Sequence, residues 1–177
     1  MKQLYTLAFP KLNQHDQIWV DRTREQNDPD FQKVRPHFTL LFGCGDVSAE
    51  VYARHVKNTA KVTPSFEFHA RRVSLGIDHF GTGGYVFLVP DEGHSSILAL
   101  HDRIYSGPLS AHLNLKLSFI PHITLGKLDS LEEAKKITNE LNCKAISVSG
   151  LIDSITVVEE KDGVVTIQEE FTLSTDD

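Results

Sequence analysis

The chain has 177 residues, of which 40% are hydrophobic and 24% charged, and its formal net charge is -6. That is enough to bury a core without staples, in one domain or two tightly joined lobes, and it excludes bulk disorder, collagen and coiled coil. The acidic balance argues against gripping a long polyanion through many phosphates, although one local pocket can still take a small nucleotide or an RNA end.

No apolar run is long enough to span a bilayer. The first strand-like run, Leu4 to Phe9, is too short and polar-flanked for a signal peptide. Cys44 and Cys143 lie far apart and form neither a disulfide framework nor a paired metal spacing. A reducing cytoplasm is the expected location.

In chain order, Lys2 to Phe9 reads as a strand stopped by Pro10. Leu12 to Glu25 reads as a helix capped by Asn13, and Gln26 to Lys33 as a polar loop holding Pro29. Pro36 to Phe42 is an apolar strand stopped by Gly43. Ser48 opens a helix to about Lys61. Ser65 to Gly76 reads as one long strand, and Tyr85 to Val89 as its return, across a Gly-rich tip. A helix begins near Ser95 and ends at Gly107 and Pro108. Leu117 to Leu125 reads as a strand interrupted near Pro121. Leu131 to Leu141 is a helix capped by Asp129 or Ser130. Two last strands, Ala145 to Glu159 with breaks and Val164 to Leu173, turn at Lys161, Asp162 and Gly163. The mixture predicts an α+β fold with largely antiparallel sheets and no linker long enough to separate domains.

Two segments repeat. Arg35-Pro36-His37-Phe38-Thr39-Leu40 and Ile120-Pro121-His122-Ile123-Thr124-Leu125 both read Pro-His-apolar-Thr-Leu, 122 − 37 = 85 residues apart. Composition alone supplies roughly 0.6 His-x-Thr triplets, so one would mean nothing; two, each with Pro before and Leu after, point to an internal duplication. In a strand, residues i and i+2 share a face. His37 and Thr39 therefore project together, as do His122 and Thr124, while Phe38 and Leu40 face the core. If the halves pack face to face, two imidazoles and two hydroxyls converge on one anion-sized gap. That set suits phosphodiester chemistry: one imidazole takes a proton, the other gives one, and the hydroxyls bond the non-bridging oxygens.

The strings PHFTLLFG and FIPHITLGKL resemble the two motifs of the two-histidine (2H) phosphoesterase superfamily, of the LigT-like, 2′-5′ RNA ligase type. Phe119, Pro121, His122, Thr124 and Lys127 fill the places of the second motif, with Lys127 where many relatives carry Arg. The resemblance implies an α+β, bilobal, pseudo-twofold fold of two mainly antiparallel sheets with outer helices and a central cleft. The chain is then a single bilobal domain over residues 1–177, with pseudo-repeats about 1–78 and 79–177. It implies His37, Thr39, His122 and Thr124 as the catalytic set, no metal and no other cofactor. The implied substrate is a nucleotide or RNA-end phosphodiester, either a 2′,3′-cyclic phosphate or a 2′-5′ linkage. No membrane and no obligate protein partner is implied. The alternative is a non-catalytic nucleotide- or RNA-binding module that keeps the cleft.

Outside the motifs, Arg35 precedes His37 by two residues and is a candidate phosphate contact on the same face. Lys127 is another, although strict alternation puts it on the face opposite Thr124 unless Gly126 bends the strand. Phe42 and Tyr85 are candidates to stack on a base, with a core position the plainer reading of Phe42. His79, in the Gly-rich tip beside Gly81, Gly83 and Gly84, could reach over a substrate, but a flexible hairpin tip is the plainer reading. The remaining histidines show no i, i+4 helical spacing of a familiar metal site.

Overall fold

A computed structural model describes residues 2–78 and 81–175; His79 lies outside the described residues. The helices start where their caps predict. In α1 (Gln14–Asn27) the Asn13 side chain accepts the Asp16 N–H at 2.9 Å. In α2 (Ala49–Lys61) Ser48 Oγ accepts from Val51 N–H, and in α4 (Leu131–Asn142) Ser130 Oγ accepts from Glu133 N–H. Each bond satisfies a donor that the first turn leaves free. The helix α3 (His94–Ile104) instead follows Gly93, whose φ of 75° suits a residue without Cβ.

Among the described residues, seven strands form the main sheet: β1 (Gln3–Ala8), β3 (Phe38–Cys44), β5 (Arg72–Ile77), β6 (Gly84–Val89), β7 (Ile123–Leu128), β9 (Ser154–Lys161) and β10 (Val164–Thr172). Their order is β10-β9-β1-β3-β7-β6-β5, antiparallel throughout. A smaller antiparallel sheet, β2-β8-β4, joins β2 (Lys11–Leu12), β8 (Val148–Ile152) and β4 (Phe66–Ala70). The fold is thus α+β with two antiparallel sheets and helices against them, as expected. Within the main sheet, β10-β9-β1-β3 and β7-β6-β5 are two ladders, and among the described residues only the pair Phe38–Ile123 joins them. Helices α2 and α3 cover the first ladder, and α1 and α4 cover the second. Leu40, Leu41, Val86, Leu88, Ile123 and Leu125 bury from the sheet against Tyr52, Val56, Ile97, Leu100 and Ile104 from the helices. Among the described residues no helix is long and apolar enough to cross a membrane.

Several elements differ from the sequence reading; the expected strand Ala145 to Glu159, for one, is β8 and β9, which part at Asp153 and enter different sheets. The expected strand Ser65 to Gly76 is two strands, β4 and β5, that part at Arg71 and enter different sheets. Arg71 turns out to ion pairs with Asp91 and Glu92, which tertiary packing supplies and local alternation does not show. The expected strand Leu117 to Leu125 begins only at Ile123 and runs to Leu128. Pro121 has no N–H to give a ladder, so the run before it stays irregular.

Candidate active site

The two motifs lie side by side in one sheet rather than on opposed faces of two. Phe38 pairs with Ile123 in the antiparallel β3–β7 contact. Carried one residue further each way, that register sets His37 beside Thr124 and Thr39 beside His122. The four side chains therefore make a crossed square around a buried Phe38–Ile123 centre. Directly opposed side chains stand roughly 5 Å apart at Cβ, and the two histidines, on a diagonal, roughly 7–8 Å.

The final Leu of each repeat is a spacer. In the β1–β3 ladder Leu41 pairs with Thr6 and Thr39 with Leu7, which leaves Leu40 unpaired. In the β6–β7 ladder Gly126 pairs with Val86 and Thr124 with Phe87, which leaves Leu125 unpaired. Each is a β-bulge, with two residues against one. An extra residue shifts the period of two, so two consecutive positions bury: Leu40 with Leu41, and Leu125 with Gly126. The residue three past each Thr then returns to the Thr face. That residue is Lys127 in one motif and Phe42 in the other. Strict alternation misplaces Lys127 for this reason. Gly126 contributes differently: a Cβ there would meet Cβ of Asn27 at 3.1 Å, so its absence lets α1 approach β7.

Both imidazoles are held by one device. His37 Nδ1 lies 2.7 Å from the Arg35 carbonyl, and His122 Nδ1 2.6 Å from the Ile120 carbonyl. A carbonyl only accepts, so Nδ1 carries the proton in each neutral ring and Nε2 is left as the basic atom. The intervening Pro36 and Pro121 fix φ near −65° and steady this i−2 tether. Each ring also leans on a phenylalanine. Phe9 meets His37 edge-on at 5.9 Å, and Phe87 stacks on His122 at 3.7 Å. Gly76 makes room for Phe87, since a Cβ there would fall 2.2 Å from its ring.

These walls strip water that would solvate an imidazolium. Burial pushes His37 down to about 4, with the positive charge of Arg24 and the neighbouring His122 adding to the effect; the Arg35 carbonyl and Asp28 oppose it. Burial also lowers His122, against the bond to the Ile120 carbonyl.

The polar run after α1, featureless in sequence, builds the next wall. Arg24 is only 3% exposed and donates from Nε and an Nη to Asp28 Oδ2, at 3.0 and 2.8 Å. Its other Nη donates to the Val34 carbonyl at 3.0 Å, pinning the loop. Asp28 Oδ1 accepts the Asp30 N–H. Asp30 in turn pairs with Lys33 and lies 3.4 Å from Lys127. The Lys33 ammonium, with Lys127 behind it, holds Asp30 below the usual carboxylate range despite partial burial.

A cavity of about 240 Å³ gathers His37, Thr124, Tyr85 and Lys127 with Arg24, Asp28 and Asp30. A neighbouring cavity of about 470 Å³ shares Arg24, Val34 and Pro36 with it and takes in Phe9, Phe31, Lys33 and Arg35. Arg35 thus opens onto the second cavity, its guanidinium 4.4 Å from the Phe9 ring centre. Tyr85 lies in the first and stacks on Phe87 at 5.5 Å. Phe42 is 50% exposed, which rules out the core position. Arg24, Asp28, Phe9 and Phe87 escaped the sequence reading. Phe87 was findable, because it shares a strand face with Tyr85. The Arg24–Asp28 spacing of i, i+4 also carried a signal, but nothing local announces its burial.

The chain belongs to the 2′-5′ RNA ligase superfamily, whose family model matches residues 11–164. It is 26% identical over 153 residues to a protein named "Putative phosphoesterase BH1439" from Halalkalibacterium halodurans, covering 85% of this chain and 86% of that one. Among solved structures it is similar to TT0787 of Thermus thermophilus, with a TM-score of 0.63 and 18% identity over 99% of this chain and 100% of that one. It is also similar to E. coli LigT complexed with 3′-AMP, with a TM-score of 0.60 and 17% identity over 98% of this chain and 99% of that one. At these identities the structural likenesses concern the fold.

Proposed function

We propose that the protein is a phosphodiesterase that opens a nucleotide or RNA-end 2′,3′-cyclic phosphate, or a 2′-5′ linkage, by two-histidine acid–base catalysis without a metal. The crossed square of His37, Thr124, Thr39 and His122 carries this reading. An in-line displacement needs attacker and leaving group on opposite sides of phosphorus, and the diagonal histidines supply one proton carrier for each side.

His37 is the base for hydrolysis. Burial disfavours its charged form, and Arg24 and His122 add to this, so its Nε2 is free at neutral pH. It takes a proton from water as the water oxygen bonds phosphorus. The bond to one ribose oxygen breaks, and His122, as the imidazolium, gives its Nε2 proton to that oxygen, leaving a phosphomonoester and a neutral ring. Thr39 and Thr124 hydroxyls donate to the non-bridging oxygens, and the Lys127 ammonium adds positive charge beside them. Tyr85 and Phe42 offer ring faces to a base, and Arg35 to a further phosphate. Membership of the family, together with the 3′-AMP complexed with LigT, supports a nucleotide substrate.

The test is turnover of a 2′,3′-cyclic nucleotide, a 2′-5′ dinucleotide and an RNA ending in a cyclic phosphate, each in EDTA. The wild type is expected to cleave at least one of them. His37→Ala and His122→Ala are each expected to lose about 10²–10⁴-fold. Because both imidazoles are lowered in the free protein, kcat/KM should trace a bell whose optimum lies below pH 6.5. A pH-independent rate, or activity that needs a divalent metal, defeats the mechanism.

A further inference from the structure

A second cluster of chemically active side chains lies away from both cavities. Cys44 ends β3, Asp46 follows it in the turn, and His112 closes a short 3₁₀ turn, Gly107–His112. Asp46 Oδ1 lies 3.8 Å from Cys44 Sγ and 3.5 Å from His112 Nδ1, and one donor atom from each residue falls within 4.8 Å of the other two. Three different donor types, brought together from positions 44, 46 and 112, meet at one point. Tetrahedral zinc, with bonds of about 2.0–2.3 Å to N, O and S, places its ligand atoms roughly 3.3–3.6 Å from one another. The two sides that meet at Asp46, 3.8 and 3.5 Å, are close to that spacing, and the third is within 4.8 Å. Cys44 is buried and His112 mostly so, while Asp46 is open, which leaves an entry route and room for water. Thiolate with imidazole favours a zinc-class ion over magnesium or calcium. Thiolate and carboxylate together neutralise its charge.

We propose that Cys44, Asp46 and His112 bind a zinc-class divalent cation, with water as the fourth ligand. The ion ties the end of the first motif strand to the 3₁₀ turn that leads toward the second motif. Its ligands are separate from the histidine–threonine square, so this site stands or falls independently of the catalytic reading.

The test begins from chelated, desalted protein carrying Cys143→Ser, which removes the exposed competing thiol. Cobalt(II) is titrated in. The expected result is a thiolate-to-cobalt charge-transfer band in the near ultraviolet with the visible bands of tetrahedral cobalt, both abolished by one equivalent of zinc. His112→Ala and Asp46→Ala leave the core cysteine in place, and each should weaken binding at least about tenfold. Zinc at about a hundred times its Kd should raise the melting temperature by about 5–10 °C. Absence of the charge-transfer band overturns the proposal. So does a band whose affinity is unchanged in both variants.

Discussion

Acidification should destabilise the protein through His37, and the size of the effect follows from its surroundings. An imidazole titrates near 6.5 in an unfolded chain, whereas in the native cleft burial brings His37 to about 4. Between those values the unfolded chain holds a proton that the native protein refuses. The stabilising contribution is therefore complete above pH 6.5 and is lost as the pH falls toward 4. The interval of 2.5 units sets a ceiling of about 3.4 kcal/mol at 1.36 kcal/mol per unit. The ring keeps an open edge to the cleft, and screening there reduces the expected loss to about 1–2 kcal/mol. Urea unfolding of the wild type and of His37→Gln, from pH 7 to pH 4.5, measures it. Glutamine can still donate to the Arg35 carbonyl but does not titrate. Carboxylates such as Asp30 also lose stability with acid, and they do so in both proteins, so the difference between the curves isolates His37. Parallel curves would refute the claim that the cleft holds this imidazole neutral, and with it the assignment of His37 as the resting base.

Asp28→Asn should lower stability by about 3 kcal/mol in the same assay, because it strands the buried Arg24 charge. Phe87→Ala should move the NMR titration midpoint of His122 upward, since the stacked ring that excludes water is gone. Gly76→Ala, outside the cleft, should displace Phe87 and cost about 10- to 100-fold in kcat while KM changes less. Thr39→Ala and Thr124→Ala should each lower kcat by about 10²-fold if the hydroxyls serve the transition state; a rise in KM alone would make them binding groups.

What the sequence displayed was what local chemistry writes down. Asn13, Ser48 and Ser130 announced their helices because a cap is a contact three residues long. The repeat brought out His37, Thr39, His122 and Thr124, because a duplicated string needs no fold to be seen. Apart from the strand that Pro121 shortens, the failures involve information held elsewhere in the chain. Nothing between Ser65 and Gly76 says that Arg71 separates two sheets, since its partners are Asp91 and Glu92. Leu40 and Leu125 read as ordinary inward residues, and only their partner strands reveal that each is supernumerary. Arg24 and Asp28 have the composition of a solvated helix end, yet burial and the Val34 carbonyl make them a wall of the cleft.

The seam between the ladders has a mechanical consequence. Among the described residues, a single pair, Phe38 with Ile123, joins the half of the sheet that bears His37 and Thr39 to the half that bears His122 and Thr124. Stiffness across a sheet comes from its rungs, and here there is one. The four groups thus ride on two firm plates with a compliant joint between them. In the proposed mechanism, a phosphate held by hydroxyls from both plates would act as a second rung, bracing the joint as the two Nε2 atoms face each other across phosphorus. The substrate would then complete the scaffold that acts on it, and its departure as a monoester would return the joint to its looser state.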